Sequence, residues 1–252
     1  MLSYYGRLSS EVYDLDKPVG RSFGDIEFYE ERLKSCEGPI LEPATGTGRI
    51  LIPLLEKGFD IEGFDSSQDM LRICRQNSQK RGLSPRLFEA KMESFSQAKK
   101  YKAIIVPTGS FLLLHKREDS LKALKNFYEH LCDGGRLIVD LLLPKDVMKD
   151  SVSTRMWECP NGDIITLENK VIEVDYVNQF TISLGRYEKW RQGELVRTEL
   201  EYFPLRWYGV EEFRLILESI GFTDIVISAD YQWGVYPTNS TEVITFEAVT
   251  SK

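Results

Sequence analysis

Two glycines separated by one residue, Gly46 and Gly48, lie in the run Ile40-Leu41-Glu42-Pro43-Ala44-Thr45-Gly46-Thr47-Gly48-Arg49-Ile50, where a short apolar strand gives way to a helix. A turn there needs residues without a Cβ wherever φ is positive or a ligand approaches the main chain, so the pair suits a plain strand-to-helix turn or a nucleotide site. A dinucleotide fingerprint would place a third glycine where this chain has Leu51, and no GxxxxGK[ST] phosphate loop is present. Both absences count against NAD and ATP. Asp65 ends the next strand, 19 residues after Gly46. From that position a carboxylate accepts hydrogen bonds from both hydroxyls of a ribose, or caps the helix starting at Ser66 or Ser67. The combination points to an adenosine without a pyrophosphate.

Other residues with chemistry to offer are few. Of the two histidines, His130 sits in a helix and reads as a surface or helix-end residue. His115 follows the fourth strand, on the side of the sheet where open α/β folds bind ligands, and is a candidate for substrate contact. Cys36, Cys74, Cys132 and Cys159 form no CxxC pair, so no metal site is expected.

These residues need a scaffold, and the apolar periodicity supplies one. An amphipathic helix over 24–36, carried by Ile26, Phe28, Tyr29 and Leu33, follows a Tyr-rich leading segment that reads as a cap or lid. Strands at 39–44, 60–65, 85–91, 101–109 and 136–144 alternate with helices at 49–58, 66–82 and 117–135, the last stopped by two glycines. From about residue 154 the period changes to two, predicting three antiparallel strands before helical patterning returns at 210–222, followed by two closing strands. The expected fold is α/β: a Rossmann-like, seven-stranded, mostly parallel sheet with helices on both faces and an antiparallel β insertion after the fifth strand. The expected units are a lid and helix over 1–37, the binding core over 38–150, the insertion over 151–208 and the closing elements over 209–252.

A net charge of -7 leaves no chain-wide cationic field for nucleic acid, and the cluster Arg72, Arg75, Lys80, Arg81 and Arg86 reads as a solvated helix face and its loop. No stretch reaches eighteen apolar residues and no basic-then-apolar start is seen, so a cytoplasmic protein without membrane contact is expected.

Ile40 to Gly48, the segment Gly58 to Leu71, the fourth strand with Ser110-Phe111, the glycine-turned fifth strand and the tail 211–227 together resemble the class I S-adenosylmethionine-dependent methyltransferases. The resemblance implies S-adenosylmethionine as cofactor. Glu42 and the backbone of Ala44, Thr45, Gly46 and Gly48 would hold its methionine part, Asp65 with Ser66 its ribose, and Met70 its adenine face. Where many relatives carry an acidic residue and then an apolar one at the adenine edge, this chain has Lys91-Met92-Glu93. Met92 can serve through its N–H, Lys91 cannot accept from the amino group, and Glu93 is the carboxylate at hand. Tyr13 is the lid tyrosine that would close over the donor, and Arg21 would pair with the methionine carboxylate. Pro107 would stand at the donor, in the run Pro107-Thr108-Gly109-Ser110-Phe111, which replaces the Asn/Asp-Pro-Pro-Tyr motif of many nucleic-acid and protein N-methyltransferases. The layout resembles instead the glycine and amino-sugar N-methyltransferases.

The implied reaction moves a methyl group in line onto a small molecule, nitrogen favoured over oxygen, with His115 and Tyr13 the candidates for catalytic contact. The alternative is a donor-binding sensor or subunit without turnover. Aromatic faces at Tyr4, Tyr5, Tyr13, Trp190, Tyr202, Trp207, Tyr208, Trp233 and Tyr236 could stabilise a sulfonium or ammonium by roughly 0.5–2 kcal/mol each, or simply pack the sheet. The insertion could serve as a substrate lid or as a homodimer contact.

Overall fold

The computed structural model describes residues 5–144 and 148–251. Its larger sheet has seven strands in the order β10-β11-β5-β4-β1-β2-β3. These are β1 (Ile40–Pro43), β2 (Ile61–Asp65), β3 (Leu87–Glu89), β4 (Tyr101–Val106), β5 (Leu131–Leu142), β10 (Phe222–Ala229) and β11 (Val243–Thr250). All neighbours from β5 to β3 are parallel, and β11 runs antiparallel to both β5 and β10.

The centre of this sheet is apolar on both faces because helices cover both. Leu41, Ile104, Val106, Leu137 and Val139 share one cluster with Phe127 and Leu124 of α5 (Arg117–His130) and Phe213 and Leu217 of α6 (Val210–Ile220). Ile40, Ala103, Ile105 and Ile138 face the other way, onto Ile26, Phe28, Tyr29 and Leu33 of α2 (Asp25–Leu33) and Leu51, Ile52 and Leu54 of α3 (Leu51–Glu56). A strand with both faces covered loses the alternation that marks a half-exposed one, which is why these runs read as continuous. The chain leaves β1 toward β2 and β3, then returns to place β4 and β5 on β1's other side. The order therefore reverses between β1 and β4, and the crevice beyond their carboxyl ends is where such sheets bind ligands.

Three features differ from the sequence reading. The leading segment contains a helix, α1 (Arg7–Asp16), whose Leu8 and Val12 pack on Ile165 and Tyr187 of the insertion. The insertion has four antiparallel strands where three were expected: β6 (Val152–Glu158), β7 (Ile164–Asp175), β8 (Phe180–Arg191) and β9 (Glu194–Arg206). β6 escaped because it is an edge strand whose residues are nearly all exposed, leaving no apolar alternation to read. Third, α5 does not run on to the glycines at 134 and 135. It ends at His130, and Leu131 already pairs with Tyr101, while Gly134 at φ 65° lies inside the start of β5.

Candidate functional site

The glycine turn follows β1 directly. Ala44, Gly46 and Gly48 have φ of 53°, 57° and 89°, so every second residue of the turn is left-handed. Thr45 N donates to Phe64 O at 3.0 Å and Gly46 N to Asp65 Oδ2 at 2.9 Å, which stitches the turn to β2. The two glycines have different reasons to exist. A Cβ on Gly48 would lie 2.8 Å from both Cys74 Sγ and Ile52 Cδ1, so the absent side chain lets α4 (Gln68–Gln79) and α3 close on the turn. A Cβ on Gly46 would meet only Tyr13 Cε1 at 3.8 Å and, at 4.0 Å, Ala44 O and the Met70 sulfur. Gly46 thus faces the space between Tyr13 and Met70, the two side chains expected over the donor.

Two carboxylates border this space. Glu42 is buried, with Thr45 Oγ1 donating to it at 3.1 Å; burial pushes its carboxyl up to about 8. Asp65 accepts from Gly46 N and, at 2.8 Å, from Ser67 N; burial pushes it up to about 6, the hydrogen bonds opposing the rise. Ser67 is the cap of α4, taking Met70 N at 3.2 Å, while Ser66 is exposed beside it. β3 carries the chain on: Ala90 N donates to Asp65 O at 3.1 Å, so Lys91, Met92 and Glu93 follow on the same rim. Met92's side chain packs in the core with Phe64 and Phe95, leaving its main chain as its contribution there, and Glu93 is half-buried.

Tyr13 reaches the turn because the insertion holds α1 in place. Glu199 and Glu201 of β9 accept from Leu8 N and Tyr5 N, each at 2.7 Å, supplying acceptors for the free amides at the start of a helix that has no side-chain cap of its own. Tyr5 stands edge-on to both Tyr13 and Phe203, with centroids 5.9 Å apart in each pair, and its carbonyl accepts from Ser67 Oγ at 2.7 Å. Tyr4 lies outside the described residues.

The other aromatics serve elsewhere. Tyr208 is buried with its hydroxyl donating to Ser120, Trp190 donates to Thr166, Trp207 stands edge-on to Tyr176, and Trp233 and Tyr236 are exposed beside Arg32 and Glu211.

Arg21 is not brought to the turn. Its Nη1 donates to Asp16 O at 2.7 Å, satisfying a carbonyl at the end of α1, and its guanidinium lies over Phe23. The buried arginine here is Arg49, which sequence reasoning missed. It bonds Asp25 through Nη2, Thr108 Oγ1 at 2.7 Å through the same atom, and Arg21 O at 2.9 Å through Nη1. Asp140, also missed, ends this network on β5: it accepts from Thr108 N at 2.9 Å, Tyr231 Oη at 3.0 Å and Thr245 Oγ1 at 2.8 Å. Thr108 follows Pro107 at the end of β4 with φ 59°, a conformation costly for a β-branched residue, and is held at its hydroxyl by Arg49 and at its amide by Asp140. The only signals available were a cation opening an otherwise apolar helix and an acid inside the run Leu137-Ile138-Val139-Asp140-Leu141.

His115 stands beyond the 3-10 turn Ser110–Leu113, half-buried, with its ring edge-on to Phe180 at 5.7 Å. Burial, then Lys116 and Arg206, push it below its ordinary value, so it is a neutral imidazole near pH 7. His130 is buried: its Nε2 accepts from Gln97 N at 3.2 Å and its ring packs on Phe95, a structural role. Among the described residues no cluster of His, Cys, Asp and Glu suits a metal ion, and no helix is long and apolar enough to cross a membrane.

Residues 40–135 match the model of a family described as a methyltransferase domain. The chain is 37% identical over 214 residues to a glycine/sarcosine N-methyltransferase of Halorhodospira halochloris, spanning 84% of this chain and 75% of that one. It is 29% identical over 215 residues to the enzyme of the same description from Aphanothece halophytica, spanning 84% of this chain and 77% of that one. In fold it is similar to an S-adenosylmethionine-dependent methyltransferase from Clostridium acetobutylicum, with a TM-score of 0.77 at 20% identity over 96% of this chain and 98% of that one. The chain belongs to the S-adenosylmethionine-dependent methyltransferases. It is therefore a transferase that draws its methyl group from S-adenosylmethionine.

The residues present fit that donor. Buried Glu42 has one hydrogen-bond donor, Thr45, and among the described residues no cation in ion-pairing contact, which suits an ammonium; Asp65 is a carboxylate at the end of β2 held against the turn at Gly46 N, which suits hydroxyl donors; Gly46 leaves the gap between Tyr13 and Met70 free of a side chain. A pH dependence follows. Between 4.5 and about 8 the folded, empty chain keeps a proton on Glu42 that the unfolded chain releases, so this group lowers stability as pH rises through that window. Binding an ammonium requires the carboxylate and expels the proton. Affinity for S-adenosylhomocysteine should therefore rise between about pH 6 and pH 8, by up to tenfold per unit, and Glu42→Gln should flatten the profile. Calorimetry in buffers of different ionisation enthalpy reads both the affinity and the released proton.

Proposed function

We propose that the chain methylates the amine nitrogen of a small molecule by in-line displacement. When bound, S-adenosylmethionine supplies an electrophilic methyl with a neutral thioether as leaving group, so the chain's task is to orient two reactants and exclude water. Glu42, Asp65 and the turn amides hold one end of the site. Tyr13, pressed against Gly46 by the inserted sheet, covers it, and the Thr108 segment at the end of β4 forms the wall that an acceptor meets. The observation that carries the reading is the convergence on one turn of Tyr13, Met70 and Asp65 at Gly46 and of Glu42 at the adjoining Thr45. Relatives described as glycine/sarcosine N-methyltransferases support nitrogen as acceptor atom, as does a fold shared with a sugar N-methyltransferase at a TM-score of 0.72 and 20% identity.

An amine attacks only when neutral, and the neutral His115 at the carboxyl end of β4 is the group we assign to receive its proton. The inserted sheet acts as the support of the lid, since its Glu199 and Glu201 anchor α1. Four free cysteines, two of them buried, accord with the reducing setting of a cytoplasm.

Incubation with methyl-labelled donor and glycine, sarcosine, an amino-sugar nucleotide or the corresponding alcohols tests this reading. Label is expected in at least one amine and in none of the alcohols. Tight S-adenosylhomocysteine binding with no label in any acceptor would favour the sensor.

A further inference from the structure

The rim that follows β3 is a turn closed by one side chain of α5. Lys91 O accepts from Ser94 N at 3.2 Å and from Phe95 N at 2.9 Å, which folds residues 91–95 back on themselves. Asn126, half-buried on α5, holds that fold from below: its Nδ2 donates to Met92 O at 3.1 Å and to Phe95 O at 2.9 Å. A side-chain amide has two N–H donors, and both are spent here on main-chain carbonyls of the turn. His130, four residues further along α5, adds a second brace. Its Nε2 accepts from Gln97 N at 3.2 Å, its Nδ1 lies 2.9 Å from Asn126 O, and its ring stands 4.4 Å from that of Phe95.

This bracing decides what the turn has left to offer. The carbonyls of Lys91, Met92 and Phe95 are all engaged within the protein, and an ammonium such as that of Lys91 accepts nothing. Among the described residues the Met92 N–H has no acceptor, and the carboxylate of the next residue, half-buried Glu93, receives no hydrogen bond. A donor followed by an acceptor complements adenine, whose N1 accepts and whose 6-amino group donates. Hypoxanthine, with N–H at position 1 and a carbonyl at position 6, reverses both and sets like against like.

We infer that Asn126 is a positioning residue for the donor: by holding the Met92 and Phe95 carbonyls it presents the Met92 N–H and the Glu93 carboxylate together to the adenine edge. It acts through the turn and contacts no reacting atom. The inference rests on the placement of adenine at this rim and goes beyond it, by assigning the rim's selectivity for the base to a side chain of α5.

Calorimetry on the full chain with S-adenosylhomocysteine and S-inosylhomocysteine, which differ only at that edge, tests it. The parent chain should prefer the adenine ligand at least about tenfold, the loss of one hydrogen bond to a charged group. In Asn126→Leu the preference should fall most of the way to unity, because the adenine ligand weakens while the inosine ligand, which never used the pair, keeps its affinity. Asn126→Gln retains the amide and should recover part of the preference. Equal weakening of both ligands in Asn126→Leu, the mark of a purely structural role, overturns the assignment, as does an unchanged ratio. A parent chain that binds the two ligands alike also overturns it, and leaves amine methylation standing, since transfer to an acceptor is measured separately. Where Asn126→Leu does not fold, the parent chain decides. The side-chain amide protons of Asn126 should exchange with solvent more slowly in the S-adenosylhomocysteine complex than in the S-inosylhomocysteine complex, and equal exchange in the two overturns the proposal.

Discussion

Asp65→Ala is expected to weaken S-adenosylhomocysteine binding about a hundredfold or more while leaving the chain folded. The carboxylate is the acceptor for both ribose hydroxyls in this reading, and hydrogen bonds to a charged group contribute roughly 1.5–3 kcal/mol each, so losing two exceeds the 1.4 kcal/mol that equals one factor of ten. The same oxygens accept from Gly46 N and Ser67 N, so the substitution also frees the turn that must present its amides to the methionine part. Stability should change little by comparison. Asp65 is a buried acid held near 6 by desolvation, and removing its charge relieves a cost that offsets the two lost backbone contacts. Calorimetry for affinity and thermal unfolding for stability separate the two effects. Unchanged affinity would show that the ribose does not lie at the end of β2.

Arg49→Met is expected to be the most destabilising single change at the site. Arg49 and Asp25 have side chains 2% and 1% exposed, and removing one partner of such a pair strands a buried charge, at roughly 3–5 kcal/mol. For a chain of this size that corresponds to a fall of roughly 6–20 °C in unfolding temperature. The network predicts more than lost stability. Arg49 also holds Thr108 in its left-handed conformation and the carbonyl of Arg21, so the β4 wall and the segment between α1 and α2 loosen together. The double substitution Arg49→Met with Asp25→Leu, which removes both charges, should recover most of the unfolding temperature but not the order at Thr108. A single substitution that leaves the unfolding temperature within one or two degrees would contradict the pairing.

How legible this was in the sequence depended on where each residue's partner lies. The strand, glycine turn and helix around Gly46 could be read because all of the information is local: an apolar run, residues that tolerate positive φ, and an acid one strand further on. The seven-stranded sheet was legible for the same reason, its central strands being covered on both faces. α1 was not, because its apolar residues Leu8 and Val12 are spaced among Ser, Glu and Asp whose partners lie in a sheet some 150 residues away, Glu11 bonding Lys189 and Asp16 bonding Arg155. Arg49 and Asp25 were invisible as a pair, since an ion pair across 24 residues leaves no periodic trace. Arg21 drew attention because it lies in a glycine-flanked stretch before the core. The structure gives it a local duty at the end of α1, while the cation nearest the turn comes from the residue immediately after Gly48.

The central claim is that this chain moves a methyl group from S-adenosylmethionine to a nitrogen. The most direct measurement uses donor labelled with carbon-13 at the methyl, an amine acceptor found by the panel above, and a proton–carbon correlation spectrum of the reaction mixture. The account predicts that the donor's S-methyl signal is replaced by an N-methyl signal, with S-adenosylhomocysteine formed in equal amount and both lost in Asp65→Ala. An O-methyl signal, or a donor signal that persists unchanged while S-adenosylhomocysteine binds tightly to the same protein, would contradict it.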